Sequence, residues 1–297
     1  MAYFGQRNGK PEQGIIDALN CASTLMLFVK NVVIPKLQEE TPDSEFGIRI
    51  GLDHGVKDQV AWSCFGYPDM CEVTATSFYV SVASKLQQAA GRNQIMIGEG
   101  LREQFDLHEE LAKVRTVTRN GVEVEDRIVT PNYKGRNGRP IDYRQWVFDA
   151  DRYFTLSPLV SQSPEFLLGN TDQPSIAPLE IRAKLLDDGL GSELVSCGSI
   201  VPKNRFIEFR VVPPDNGRYP CTLQFKVENH GNDARTNGGE HYDNHLSEVE
   251  EAVNAAYLVH VLRHGEGTRY RGLHYLIAEM RSGGVLTHRG RFGVYIE

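Results

Sequence analysis

The spacing of apolar residues changes several times along the chain, and each change predicts an element. From Gln13 to Leu37, Ile15, Ile16, Leu19, Ala22, Leu25 and Phe28 form a broad stripe at helical period, so one helix is predicted, with Pro35 near its end. The charged run Gln38 to Glu45 reads as a solvated connection. Phe46, Ile48 and Ile50 then alternate, the period of a half-buried strand. Gly51, Asp53-His54 and Gly55 make a turn, and Val60 to Phe65 is predicted to return as the hairpin partner of that strand. Val80, Val82, Ala83, Leu86 and Ala90 restore a helical period over Ser77 to Ala90, and Gly91 stops it. Gln94 to Ile97 is a further strand.

A second helix begins at Leu101. Lys113 to Thr118 and Val122 to Thr130 are strands around Asn120-Gly121, a hairpin turn signal. Asn132 to Pro140 is rich in Gly, Asn and Arg and reads as a loop, and the aromatic-rich Tyr143 to Leu156 closes a first domain, residues 1–157. Residues 158–175 shift to Ser, Pro, Gln and Asn, the composition of a linker. In residues 176–297 alternation dominates, at Ile207, Phe209 and Val211, at Leu223, Phe225 and Val227, over Tyr270 to Ile277 and over Phe292 to Ile296. Gly283-Gly284 turns between the last two. The fold class predicted is α+β, with a β-rich, sandwich-like second domain.

Composition narrows the function. The net charge of −7 argues against a nucleic-acid partner, since phosphate binding needs a basic face. No run of eighteen apolar residues predicts a membrane span, and the first ten residues lack a signal peptide's apolar core. The five cysteines, Cys21, Cys64, Cys71, Cys197 and Cys221, are odd in number and form no CxxC, which suits reduced thiols in a cytoplasmic protein.

The order Ile48-Arg49-Ile50-Gly51-Leu52-Asp53-His54-Gly55, then Ser81-Val82-Ala83-Ser84-Lys85-Leu86, then Ala90 to Ile95, resembles the second half of a class III nucleotide cyclase domain. There a strand reading IRIGI precedes a helix with an Asn-x-Ala-x-Arg-Leu pattern. The resemblance implies a partial ferredoxin-like cyclase domain. Met1 to Gly5 resembles the segment directly after the family's Gly-Asp-Gly motif, so the chain is expected to begin inside the fold, with an upstream segment missing. Val227 to Gly231, Tyr270 to His274 and Phe292 to Ile296 resemble a sensor-type domain found after some bacterial cyclases.

The chemistry the resemblance implies is in-line attack of a ribose 3′-oxygen on the α-phosphorus of a nucleoside triphosphate, with pyrophosphate leaving. Two divalent ions, Mn²⁺ or Mg²⁺, serve it in the family, held by two Asp residues that have no counterpart in this chain; no metal ligand is therefore assigned. Lys85 falls at the family's transition-state Arg and Ser81 at its ribose-orienting Asn, which makes them the catalytic candidates. Each is otherwise a polar residue on a helix face. Thr74 falls near the base-selecting position. The combined domains look like the pyrimidine cyclases of antiphage defence, which implies a homodimer making cyclic UMP from UTP for a separate cyclic-nucleotide-binding effector. A cytidylate cyclase, an adenylate or guanylate cyclase, and a non-catalytic nucleotide-binding regulator are the alternatives. His230, His241 and His245, near Asp233, Glu240 and Asp243, sit among Gly238-Gly239 and Asn residues that speak for a loop, so they are read as the rim of a sensing loop and not as a metal site.

Overall fold

The structure is a computed structural model that describes residues 2–5, 10–43, 45–67, 69–134, 137–156, 176–186, 191–215, 217–254 and 263–297. It is a mixed α+β chain in two compact units, Met1–Gln104 with Glu109–Ala150, and Phe105–His108 with Asp151–Glu297. The residues expected to form the linker, 158–175, and the ambiguous stretch 256–262 lie outside the described residues.

In unit 1 the first helix is α1 (Pro11–Phe28), continued through a π-helical turn at Val29–Val33 into α2 (Ile34–Glu40). Pro35 comes just after the π-helical turn, which lies where its ring and missing N–H interrupt regular α-helical bonding without ending the helix. Glu12–Glu40 is therefore a continuous helical stretch of 29 residues, long and apolar enough by composition to cross a membrane. No unbroken run of eighteen apolar residues marks it, because polar residues are interspersed along it. Its apolar stripe, Ile15, Ile16, Leu19, Ala22, Met26 and Leu27, is buried, as in a core helix.

Strand β1 (Arg49–Leu52) comes next. Its predicted hairpin partner is corrected: β2 (Ala61–Tyr67) pairs instead with β3 (Met70–Thr76) as a separate ribbon. The pleat explains the error, because Trp62, Phe65, Tyr67, Met70 and Val73 are 58 to 79% exposed, and an apolar run was read as buried. Cys64 and Cys71 are joined by a disulfide across this ribbon, with Cα atoms 5.9 Å apart, so the expectation of reduced thiols fails at these two. Cys21, Cys197 and Cys221 are free.

Helix α3 (Phe78–Ala89) returns the chain to β4 (Gln94–Gly98), which lies parallel to β1. The approach of α3 to β1 depends on Gly51, where a Cβ would stand 2.2 Å from the Ala83 carbonyl oxygen and 2.4 Å from the Gln87 nitrogen. After α4 (Glu99–Gln104) come β5 (Ala112–Val114), β6 (Thr116–Arg119), β7 (Val122–Glu125), β8 (Arg127–Lys134) and β9 (Pro140–Phe148). The sheet order is β1-β4-β9-β5, with β8 on β9. β6 and β7 form the hairpin predicted at Asn120-Gly121, both residues at positive φ. Val82, Leu86 and Ala90 of α3 pack on Met96 and Tyr143 of the sheet.

Unit 2 contains α5 (Ala150–Phe154), then β10 (Ala177–Pro178), β11 (Ile181–Leu185), β12 (Ser192–Leu194), β13 (Ile200–Val201), β14 (Phe206–Val211), β15 (Cys221–Glu228), α6 (Gly231–Gly238), β16 (His245–Leu246), β17 (Glu250–Ala252), β18 (Arg263–Gly267), β19 (Gly272–Ser282) and β20 (Val285–Ile296). One sheet runs β10-β20-β19-β15-β16, with β13 on β20 and β17 on β15; the second runs β12-β11-β14-β18. Inward residues of both, among them Ile207, Phe209, Phe225, Leu276 and Phe292, share one core, which is the β-rich sandwich expected. Unit 2 also takes in Phe105–His108: the Phe105 ring lies 4.7 Å from Tyr295, and the Asp106 carboxylate accepts from the Asn232 and Asp233 backbone N–H groups at the start of α6.

Candidate functional site

The site candidates drawn from the cyclase resemblance, Ser81, Lys85 and Thr74, lie on one helix and one ribbon of unit 1. Ser77 caps α3, its Oγ accepting from the Val80 N–H at 3.1 Å. Ser81, one turn on, donates its hydroxyl to the Ser77 carbonyl at 3.2 Å, so its proton is spent locally while its oxygen lone pairs stay available. Ser81 is half-buried; Lys85, a further turn along the same face, is exposed. Thr74 stands on β3, its Oγ1 hydrogen-bonded to the Tyr3 hydroxyl at 3.0 Å, and Tyr3 packs edge-on against Trp62 with centroids 5.1 Å apart. Ser81 and Lys85 are thus brought together by helical spacing. Thr74 sits on a different element, engaged with the N-terminal segment.

A second constellation in unit 1 was not singled out from the sequence. Asp53 leaves the end of β1 and folds its carboxyl over Gly98 at the end of the neighbouring strand. Any larger residue there would collide, since a Cβ on Gly98 would lie 2.4 Å from Asp53 Oδ1. Oδ1 accepts from the His54 N–H and from the Tyr143 hydroxyl, both at 2.9 Å. That hydroxyl in turn accepts from the Gly100 N–H at 2.6 Å. Oδ2 is buried with no partner at full hydrogen-bond geometry among the described residues, although the Leu101 backbone N–H also faces the carboxyl, and His54 Nε2 is likewise buried without one. Burial pushes the Asp53 carboxyl up to about 7, against the lowering pull of its donors. The same burial lowers His54, and it raises the Tyr143 hydroxyl. Such a group can hold or release a proton near neutral pH. An acid between two glycines at the end of a parallel strand was the available signal.

The divalent ions the resemblance implies do not fit these residues. Glu99 lies near Asp53, but Asp53 Oδ1 is taken up by the His54 N–H and the Tyr143 hydroxyl, and Glu99 Oε2 accepts from the Arg144 N–H. Among the described residues the one group of three converging His, Cys, Asp or Glu donors lies in unit 2, not beside α3. The histidines considered as a loop rim do not gather as a set. His230 is buried and packs on His108, with ring centroids 4.3 Å apart; His241 is exposed; His245 meets His264 and Glu266.

Comparison with known proteins adds to this geometry. Residues 162–297 match the family described as the adenylyl/guanylyl and SMODS C-terminal sensor domain. The chain is 32% identical over 313 residues to a cytidylate cyclase of Escherichia coli, an alignment covering 100% of this chain and 67% of the relative. It is 29% identical over 303 residues to a second Escherichia coli cytidylate cyclase, covering 97% of this chain and 61% of that protein. A cytidylate cyclase of Staphylococcus aureus is 28% identical over 279 residues, covering 93% of this chain and 61% of the relative. The chain therefore spans between 61 and 67% of the length of these relatives.

Proposed function

Since this chain belongs to the cytidylate cyclase family and carries its C-terminal sensor domain, we propose that it is a pyrimidine nucleotide cyclase. The observation that carries this reading is the 32% identity running over the whole chain, across both the cyclase-like half and the sensor domain. The relatives' names favour CTP as substrate and cyclic CMP as product. UTP, expected from the sequence, is the second pyrimidine to test.

In this reading the ribose 3′-oxygen displaces pyrophosphate in line at the α-phosphorus, and the residues on α3 position the triphosphate. Lys85 places a point charge by the phosphate oxygens, where charge builds in the transition state. Ser81 accepts from a ribose hydroxyl, because its own proton is engaged with Ser77. Thr74 reads the base edge, with its hydroxyl already oriented by Tyr3. The two Mn²⁺ or Mg²⁺ ions the family uses would supply charge neutralisation. Among the described residues of unit 1, no three His, Cys, Asp or Glu donors converge on a point that would hold them.

The reading also includes a homodimer. Trp62, Phe65, Tyr67, Met70 and Val73 expose apolar surface along the β2–β3 ribbon, and a patch of that kind serves association. The product would act, in the cytoplasm and in antiphage defence, on a separate cyclic-nucleotide-binding effector. One rival is a regulator that binds a nucleotide without turnover. Incubation of the protein with each of ATP, GTP, CTP and UTP plus Mn²⁺, with products read by mass spectrometry, separates these outcomes. A cyclic pyrimidine nucleotide is expected. A cyclic purine product, or nucleotide binding with no product, would overturn the proposal.

A further inference from the structure

The two sheets of unit 2 meet at a cluster of side chains that the cyclase reading does not use. His245 stands on β16, an edge of the larger sheet; His264 and Glu266 stand on β18, an edge of the smaller one. His264 and Glu266 are two residues apart on one strand and so project to the same face. Their donor atoms and that of His245 all lie within 4.8 Å of one another. His245 Nε2 is 2.8 Å and His264 Nε2 is 2.6 Å from the same oxygen, Glu266 Oε1.

Both rings are held in place. Phe225 stacks on His264, with centroids 4.9 Å apart and an interplanar angle of 19°. His245 Nδ1 lies 3.3 Å from the Asp243 carbonyl oxygen, which can only accept. That contact fixes the ring plane and turns Nε2 toward the Glu266 carboxylate. Two imidazole nitrogens thus converge on one carboxylate oxygen, an arrangement that a cation shared by the three groups, a proton or a metal ion, makes favourable. An outer hydrogen bond from the far ring nitrogen to a carbonyl is also how metal-bound histidines are oriented.

We propose that His245, His264 and Glu266 bind one divalent transition-metal ion of the zinc type, which ties the two sheets together at the rim of the cavity inside unit 2. Two imidazole nitrogens and a carboxylate oxygen form a donor set that suits zinc and disfavours Mg²⁺, which prefers oxygen ligands. The donors now sit at hydrogen-bond separation, and a metal with bonds of about 2.0–2.2 Å would need them to spread only slightly. All three are partly exposed, at 16 to 45% of the side chain, so an ion can enter. His245 and Glu266 also line the cavity, which has a volume of about 320 Å³ and whose lining includes the apolar Phe209, Leu276 and Val294. Three protein ligands leave a coordination position for water or for a molecule entering that cavity. The site would couple metal occupancy to the geometry of the sensor domain, and it does not depend on the cyclase reading of unit 1.

The test uses the full chain, stripped with a chelator and then titrated with Zn²⁺ by calorimetry, with metal content after dialysis read by mass spectrometry. One zinc per chain is expected. His264→Gln and Glu266→Gln should each weaken binding by at least about tenfold. His241→Gln, an exposed histidine outside the cluster, should leave it unchanged. Co²⁺ added to the wild-type protein should give the visible absorption of a low-symmetry site with nitrogen ligands, a readout that needs no variant to fold. No saturable zinc uptake, a Co²⁺ spectrum equal to that of the free aqua ion, or equal binding by well-folded Glu266→Gln and wild type would each overturn the proposal.

Discussion

Replacing Asp53 by Asn separates the effect of its buried proton from that of its contacts. Its carboxyl titrates near 3.8 when solvated and is pushed up to about 7 in the fold, chiefly by burial. At about 1.4 kcal/mol per pH unit, this amounts to roughly 4 kcal/mol against the ionised form in the folded state. Below both values neither state is ionised and the group contributes nothing to pH dependence. Between them the folded state holds a proton that the unfolded state has lost, so stability falls as pH rises, and it levels off above about 7. The Asn carbonyl can keep the bonds from the His54 N–H and the Tyr143 hydroxyl. Its amide would sit where Oδ2 has no partner at full hydrogen-bond geometry among the described residues, at a cost of about 1–3 kcal/mol. The variant is therefore expected to be close to wild type in stability at pH 5 and more stable at pH 8. The gap between the two proteins should widen by about 3 kcal/mol across that range. Urea unfolding followed by tryptophan fluorescence is the assay, because both tryptophans, Trp62 and Trp146, lie in unit 1 and report on it alone. Parallel midpoints for the two proteins from pH 5 to pH 8 would refute the reasoning.

Two further predictions concern α3. Gly51→Ala should destabilise unit 1 by on the order of 2–4 kcal/mol, since the added methyl meets helix backbone that cannot swing aside; the same fluorescence assay reads it. Lys85→Ala should reduce cyclic nucleotide formation on the order of 100-fold, while its stability stays within about 0.5 kcal/mol of wild type because the side chain is exposed. Unchanged turnover in that variant would remove Lys85 from the proposed phosphate contacts.

Much of the fold was legible in local pattern. The helical stripe from Ile15, the α3 stripe through Val82 and Leu86, the Asn120-Gly121 hairpin and the alternating strands of unit 2 all arise from side-chain period and turn chemistry, which act over a few residues. Periodicity also set Ser81 and Lys85 one turn apart on one face. What it could not decide was pairing. Val60 to Phe65 looked like the mate of β1, yet β2 pairs with β3, because strand partners are chosen by packing and not by apolar content alone. The cysteines looked unpaired until that ribbon brought Cys64 to Cys71.

By itself, then, the sequence determined where helices and strands form and which residues resemble a nucleotide cyclase, since both are written in short-range order. Only the tertiary structure decided which distant groups share one environment. It seats Asp53 under Tyr143, 90 residues later in the chain, where exclusion of water holds its proton. It also sets His245 against His264 and Glu266 by bringing the edges of two sheets together. A proton affinity or a ligand set is a property of the space between side chains, and that space exists only once the chain has folded.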